Sequence, residues 1–460
     1  MTMKQEVKSE NSSFRDPSGY IARISNKLYR IVNHSYQQEY DFLIKSGLHH
    51  KLVSEKLLIP VEETNENLGM ASAYKVLKPE VIPFISYPYE WSFSQLKDAA
   101  LLTLKIQKIA LSYGMSLKDA SAYNVQFHNG KPIFIDTLSF EIAQKDKPWV
   151  AYRQFCQHFL APLAVMSQVD IGLGKLLRSN IDGLPLDLAS KLLPYRSRLS
   201  FSNLVHIHLH AKSQKHYESK NVAIKEMKLK GPGVLGLVNN LENAIRKISW
   251  KPQDTEWADY YNDTNYTDRA FDHKIQVIDK FIKKTSPKNV WDLGANDGTF
   301  SKLAANQGIM TVSFDIDPAA VEKNYLATKK DKSRCLLPLV MDLADPSPGI
   351  GWQNCERRSL TDRGPCDVAL ALALMHHLAI SNNVPFEKIA EYFASICHRL
   401  VIEFVPKDDS QIRRLLVSRE DIFGNYTRDN FVAQFKKFFK IIESEPIIET
   451  GREVFLMEKM

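Results

Sequence analysis

The sequence predicts a two-domain protein whose carboxyl-terminal half is an α/β fold, a parallel sheet covered by helices and closed by an antiparallel strand pair. Three observations predict it. From Trp257 onward, strand-like and helix-like stretches alternate at the spacing of parallel strands with crossover helices. A glycine-bearing turn, Asp292-Leu-Gly-Ala-Asn-Asp-Gly298, joins the first of these strands to its helix. The last two strands, 439–447 and 453–459, are joined through Thr450-Gly451, too short a link for a crossover, so they pair antiparallel.

The chain has 460 residues, enough for two or three domains and a substantial core. It is 44% hydrophobic and 25% charged, which excludes a disordered, collagenous or coiled-coil protein. The longest clean apolar run, near Val368–Met375, is far short of the roughly 20 residues of a spanning helix, so no membrane span is expected. The amino terminus is polar and lacks the apolar core of a secretory signal. Five cysteines (156, 335, 355, 366 and 397) without a CxxC pair read as reduced thiols, and the expected location is cytoplasmic. No spacing suggests a structural zinc site.

Residues 1–18 are polar and broken by Pro17-Ser-Gly19, and are expected to form a disordered tail. Residues 19–210 read as an α+β domain. Within it, Phe93, Leu96, Ala99, Ala100, Thr103 and Leu104 follow helical spacing, and Gly114 stops the helix. The stretches 124–127 and 133–136 flank Asn129-Gly130 and predict a β-hairpin. Residues 149–210 read as mainly helical. Residues 211–255 read as a basic connector: between Lys212 and Lys251 there are nine Lys/Arg against three Glu. Such a segment can meet nucleic acid, a phosphate-bearing substrate or another anionic surface, or serve as a solvated linker.

In the domain 256–460 the expected order is strand 289–293, helix 299–307, strand 310–315, helix 318–329, strand 335–341, strand 366–373, helix 384–396, strand 399–405, helix 409–419, helix 428–437 and the closing strand pair. The turn after the first strand carries the chemistry. Gly294 admits a ligand close to the backbone and Gly298 permits close packing of the turn. A single close-approach glycine does not make the GxGxxG dinucleotide fingerprint. The next strand ends at Asp315, placed to accept ribose hydroxyls, and the third at Asp342, placed to meet a base edge.

Asp-Leu-Gly-Ala-Asn-Asp-Gly, then Phe314-Asp-Ile-Asp317, Met341-Asp-Leu343 and Cys366–Leu378 with Met375-His-His-Leu, followed by a terminal antiparallel pair, resemble the class I S-adenosylmethionine-dependent methyltransferases over residues 257–460. The resemblance implies a Rossmann-like domain that binds S-adenosylmethionine. Asp292, Gly294 and Gly298 then line the methionine moiety, with Asn296 or Asp297 helping to hold its amino-acid portion; Asp315 binds ribose and Asp342 adenine. The insert 346–365, rich in Pro, Gly and Arg, departs from the pattern where a third helix is usual. His376 and His377 are candidate bases, since histidine titrates near neutrality, or else pack and cap. Glu403 at a strand end is a further catalytic candidate, or a carboxylate that is solvated or paired with Arg413. Trp257, Tyr260, Tyr261 and Tyr266 form an aromatic lid or pack a helix.

In the amino-terminal domain, Asp119 and Asn124 stand five apart and Asp136 ends the next strand. This resembles the catalytic loop and metal-binding Asp of protein-kinase-like phosphotransferases. The resemblance implies a kinase-like domain in which Asp119, Asn124 and Asp136 would hold magnesium and ATP. Lys118 replaces the usual Arg, Thr137-Leu138 replace Phe-Gly, and no glycine-rich loop or strand lysine is found, so a degenerate domain that positions substrate is expected. Gly231-Pro-Gly-Val-Leu-Gly236 matches a nucleotide spacing, but Pro232 and the missing downstream acid argue against it. His206-x-His208-x-His210 reads as a half-buried strand rather than a metal site. Gly172-Leu-Gly174 reads as a helix end.

The expected function is methyl transfer from S-adenosylmethionine to an acceptor, whether small molecule or saccharide, RNA or protein. The domain pairing resembles bacterial methyltransferases, some with a nodulation-type label that points to a saccharide or lipid-linked acceptor. The rivals are a non-catalytic S-adenosylmethionine-binding scaffold and a bifunctional protein with an active phosphotransferase.

Overall fold

The computed structural model describes residues 8–24, 27–64, 73–144, 147–212, 233–252, 266–417 and 420–460. The chain divides into two units, Met1–Lys251 with Ile350–Arg357, and Pro252–Gly349 with Arg358–Met460.

The first unit opens on a five-stranded antiparallel sheet in the order β1-β2-β3-β5-β4. Its strands are β1 (Lys8–Ser9), β2 (Gly19–Ile24), β3 (Lys27–Asn33), β4 (Val61–Glu63) and β5 (Ala73–Pro79). Helices α1 (Gln37–Lys45) and α2 (Leu48–Ser54) connect β3 to β4. The tail expected to be disordered is in part structured. Lys8 and Ser9 pair with Arg23 and Ala22, and the Ser13 hydroxyl accepts from the Ile21 amide at 2.9 Å. An edge strand offers unpaired backbone groups, and this polar segment satisfies them.

The long helix appears as α3 (Phe93–Ser112). Ser92 caps it by accepting from the Gln95 amide while the Gln95 side chain returns to the Ser92 amide. Beyond Gly114 come β6 (Met115–Leu117), the hairpin β7 (Val125–His128) and β8 (Lys131–Phe134), and β9 (Phe140–Ile142), which pairs with β6. Asn129 and Gly130 both have positive φ, as a two-residue hairpin turn requires. Residues 152–209 form short helical segments.

Two expectations need correction here. The segment with His206, His208 and His210 is helical, so the three rings do not share a strand face. Their partners are Tyr152 and Asn240 for His206, and Ser190 and Ser197 for His208, while His210 stacks on Tyr152. The basic connector is not a linker throughout. Residues 233–247 form α4 (Gly233–Lys247), whose Val238, Leu241, Ala244 and Ile245 are buried while Lys108 of α3 pairs with Glu242. The apolar stripe at helical spacing outweighs the surrounding lysines. Gly231 and Pro232 lie outside the described residues, as do Trp257, Tyr260 and Tyr261. The Gly172-Leu-Gly174 stretch lies in a short 3₁₀ turn.

The second unit is a seven-stranded sheet ordered β12-β11-β10-β13-β14-β16-β15. Its strands are β10 (Asn289–Leu293), β11 (Met310–Asp315), β12 (Leu336–Val340), β13 (Cys366–Ala371), β14 (Cys397–Phe404), β15 (Phe439–Pro446) and β16 (Glu453–Lys459). The first five run parallel, and β16 pairs antiparallel with both β14 and β15. The expected α/β sheet with a closing antiparallel pair is therefore observed. Helices α5 (Asp268–Thr285), α6 (Thr299–Ala305), α7 (Pro318–Lys330), α8 (Phe386–Ile396), α9 (Ser410–Leu416) and α10 (Arg428–Phe435) complete the unit. The core on one face joins Val277, Ile278, Phe281 and Ile282 of α5 to Val290, Val368, Leu370, Val401 and Leu456 of the sheet. Sequence order reverses between β10 and β13, and in open α/β sheets the carboxyl ends of the strands at such a switch point are where ligands bind. All five cysteines are free.

Candidate functional site

The turn after β10 is held to the neighbouring strand by its backbone. The amides of Gly294 and Ala295 both donate to the Phe314 carbonyl at 2.9 Å. Gly294 has φ +77°, and a Cβ there would meet Leu374 at 3.2 Å. Asn296 is also left-handed, and its amide donates to Asp315 Oδ2 at 2.7 Å. At Gly298, φ +81°, a Cβ would fall 2.4 Å from Asn324 Nδ2, and Asn324 is itself bonded to Ser313 Oγ at 3.0 Å. The close packing expected of Gly298 is thus against the α7 side chain Asn324.

Asp315 ends β11 and is a double backbone acceptor, taking the Asp317 amide on Oδ1 at 2.9 Å as well as Asn296 on Oδ2. Asp317 caps α7 through the Ala319 amide at 2.8 Å, with Pro318 in the first turn. Asp292, one register position from the end of β10, is 1% exposed and accepts from Ser301 Oγ at 2.5 Å. Burial pushes its carboxyl up to about 7, against the pull of Ser301 and of the Lys274 charge and with a push from Asp315. Burial likewise lifts Asp315 to about 6, against the two backbone amides. Asp297 accepts from the Thr299 amide and hydroxyl. Asp342 is half-buried beyond β12 and accepts from the Ala344 amide at 2.9 Å.

Beyond β13, His376 is fully buried, and neither ring nitrogen has a hydrogen-bond partner. Burial holds it well below the ordinary histidine range, and His377, Arg452 and Lys274 lower it further. His377 stands 4.1 Å away between ring centroids and is lowered to about 4 by burial. Both imidazoles are neutral at neutral pH.

Glu403, on β14, is neither solvated nor paired with Arg413. It is fully buried and meets Lys274 Nζ at 2.7 Å, accepts from the Tyr266 hydroxyl, and lies 3.7 Å from Arg452. Arg452 also forks onto Asp409 at 2.8 and 3.1 Å. Burial pushes the Glu403 carboxyl up, but Lys274 and Arg452 more than offset this and hold it below the usual range. Sequence reading missed Tyr266 as a member of this network, and Lys274 and Arg452 altogether. Lys274 did leave a signal, as a lysine within the apolar stripe Ala270, Val277, Ile278 and Phe281. Arg452, just past a turn, left none.

In the first unit, Asp119 and Asn124 come from the loop before β7 and Asp136 from the loop after β8. Asp119 accepts from the Ser121 amide at 2.9 Å. Asn124 donates to Ser139 Oγ at 3.1 Å, and Ser139 donates in turn to Asp136. The other Asp136 oxygen pairs with Arg30 of β3 and accepts from the Leu138 amide. Arg30 was missed because only a lysine was sought on a strand, although strand alternation places it on the face of Val32. Burial lowers its guanidinium to about 10. Also within this unit, Arg15 pairs with Glu356 at 2.6 Å and Arg357 lies 4.2 Å over the Tyr123 ring. Among the described residues no cluster of three or more His, Cys, Asp or Glu is arranged to hold a metal ion, and no helix is long and apolar enough to cross a membrane.

No family model matches the chain. It is 33% identical over 457 residues to nodulation protein NoeA of Rhizobium meliloti strain 1021, covering 97% of this chain and 95% of that protein. Among solved structures, PH0226 of Pyrococcus horikoshii OT3 matches at 14% identity over 44% of this chain and 98% of its own, with a TM-score of 0.33. Magnesium protoporphyrin IX methyltransferase of Synechocystis PCC 6803 matches at 16% identity over 44% and 93%, with a TM-score of 0.31. WbdD, crystallised with the kinase inhibitor LY294002, matches at 14% identity over 42% and 41%, with a TM-score of 0.29.

Proposed function

The chain belongs to the family of the nodulation protein NoeA, and on that premise we propose that it is an S-adenosylmethionine-dependent methyltransferase whose site is the crevice at β10 and β13. The observation that carries this reading is the pair of buried carboxylates, Asp292 and Asp315, beside Gly294. Both are raised by burial; among the described residues neither has an ion pair, and the pull of Lys274 on Asp292 does not offset burial, so a ligand with a positive charge and hydroxyl donors suits them. S-adenosylmethionine has both.

Asp315 offers its remaining lone pairs to the ribose hydroxyls. Asp292 offsets the charge of the amino-acid end, with Asn296 and Asp297 beside it. Asp342 accepts from the adenine edge, and Gly294 keeps the approach free of a side chain. When bound, the cofactor supplies an activated methyl group. The chain's own part is to align the acceptor and exclude water. Burial makes His376 and His377 weak bases, so they hydrogen-bond an acceptor rather than store its proton. Glu403, already ion-paired, holds Lys274, Tyr266 and Arg452 in place and is a positioning residue. The acceptor therefore brings a neutral nucleophile that attacks without prior deprotonation and sheds its proton after the transfer.

Titration calorimetry with S-adenosylhomocysteine tests this reading. Micromolar binding is expected, and Gly294→Trp abolishes it. A folded wild-type protein that gives no heat overturns the proposal.

A second observation favours a kinase-like reading of the first unit. The five-stranded sheet with helices between β3 and β4, then α3 and the turns carrying Asp119, Asn124 and Asp136, supports it. Arg30 lies on β3, the strand that carries the phosphate-binding lysine in protein kinases. Because Arg30 and Ser139 already occupy Asp136, the unit positions substrate rather than transferring phosphate. Magnesium-dependent ATP binding that is lost in Asp136→Ala would instead make the protein bifunctional.

A further inference from the structure

The first unit displays an apolar patch that its own fold leaves uncovered. Tyr195, Leu199 and Phe201 are 79%, 87% and 68% exposed, and Leu209 nearby in sequence is 48% exposed. Single exposed apolar side chains are ordinary, but three large ones within seven residues, two in one turn and the third opening the next helix, mark an interaction surface.

The turn that carries them is pinned from beneath. Residues Tyr195–Leu199 form a 3₁₀ turn entered through Pro194. Ser197 points inward and bonds His208 Nε2 at 2.8 Å, while the Ser190 hydroxyl holds His208 Nδ1 at 2.7 Å. With Ser197 fixed, Tyr195, Arg196, Arg198 and Leu199 are left on the outer side, all exposed. The Arg198 guanidinium lies 5.0 Å from the Tyr195 ring centroid.

We propose that this patch docks the protein on an anionic lipid surface. Tyr195, Leu199 and Phe201 seat at the headgroup boundary, and Arg196 and Arg198 meet the lipid phosphates. Aromatic and aliphatic groups beside arginines are the composition of an interfacial anchor. Charge complementarity supports this occupant over others. Residues 195–212 hold three Lys/Arg (Arg196, Arg198 and Lys212) and no Asp or Glu. Near an anionic surface each such cation strengthens binding by about fivefold. A nucleic acid would use the cations but gains little from Leu199.

The test sediments the full chain with phosphatidylcholine vesicles, alone or doped with phosphatidylglycerol, at low and raised salt. Binding is expected to the doped vesicles only, and to weaken with salt. The double variant Leu199→Asp/Phe201→Asp is expected to bind at least about tenfold more weakly, as is Arg196→Glu/Arg198→Glu. Circular dichroism and thermal melting confirm that each variant is folded; because the substituted side chains point outward, both are expected to fold. A wild-type chain that ignores doped vesicles overturns the proposal, and so does a Leu199→Asp/Phe201→Asp variant that binds as well as the wild type. Loss of a dimer by that variant in size-exclusion, with no vesicle binding by the wild type, overturns it in favour of a second copy. Salt-sensitive retention on RNA without vesicle binding overturns it in favour of nucleic acid.

Discussion

Two strand-end carboxylate centres, one in each unit, behave oppositely. In the first unit Asp136 is closed by the chain itself: Arg30 pairs with it, and Ser139 and the Leu138 amide occupy its lone pairs. In the second, Asp292 and Asp315 have hydroxyl and amide donors but, among the described residues, no ion pair; Lys274 pulls on Asp292 without offsetting burial, and burial raises both. Glu403, equally buried in the second unit, is the internal control. With Lys274 and Arg452 beside it, it falls below the usual range. Burial alone therefore does not set the state of such a carboxylate; the supply of positive charge does. A centre whose nearest cation is already paired to another carboxylate, as Lys274 is to Glu403, is one that a cationic ligand suits.

The largest expected effect breaks the control. Lys274→Met strands Glu403 as a buried charge short of one partner, which costs about 3–5 kcal/mol and is read as a lowered Tm. Pairing it with Glu403→Gln is expected to recover part of that loss, because the stranded charge is gone. Next comes the open centre. Asp315→Ala removes the acceptors proposed for the ribose and is expected to weaken S-adenosylhomocysteine binding by roughly 2–3 kcal/mol, about 30- to 150-fold by calorimetry.

The pH dependence of the open centre is expected to be smaller and has a definite sign. Asp292 and Asp315 titrate higher folded than unfolded, so the ligand-free protein loses stability as pH rises from about 4 toward 7. Binding of a cationic ligand runs the other way and tightens by about tenfold between about pH 5.5 and 7.5, a slope that Asp292→Asn flattens. The smallest effect is at the closed centre. Arg30→Met takes the cation from Asp136 and leaves that oxygen only the Leu138 amide, and a weak magnesium-dependent ATP signal is expected where the wild type gives none. Tight binding by the wild type would break the comparison, since Asp136 would then not be closed.

Much of the second unit was legible because its signals are local. Strand and helix alternation, the Gly294 and Gly298 turn and the Asp317-Pro318 cap each lie within one or two elements, and the observed boundaries follow them closely. The hairpin at Asn129-Gly130 and the capped helix from Phe93 were legible for the same reason. The tail and connector were misjudged because polarity was taken for lack of structure. Ser9 is ordered by a neighbouring strand edge, and the helix from Gly233 by an apolar stripe among lysines.

By itself the sequence determined the α/β sheet with its closing pair, the turn at Asp292–Gly298 and the acids that follow it, because hydrophobic period, turn chemistry and strand-end position are properties of short stretches. Only the tertiary structure decided which carboxylates are matched. Lys274 reaches Glu403 across 129 residues of chain, and Arg30 reaches Asp136 across 106. The charge state of a buried group depends on which distant cations the fold carries to within a few ångströms, and no local pattern encodes that distance.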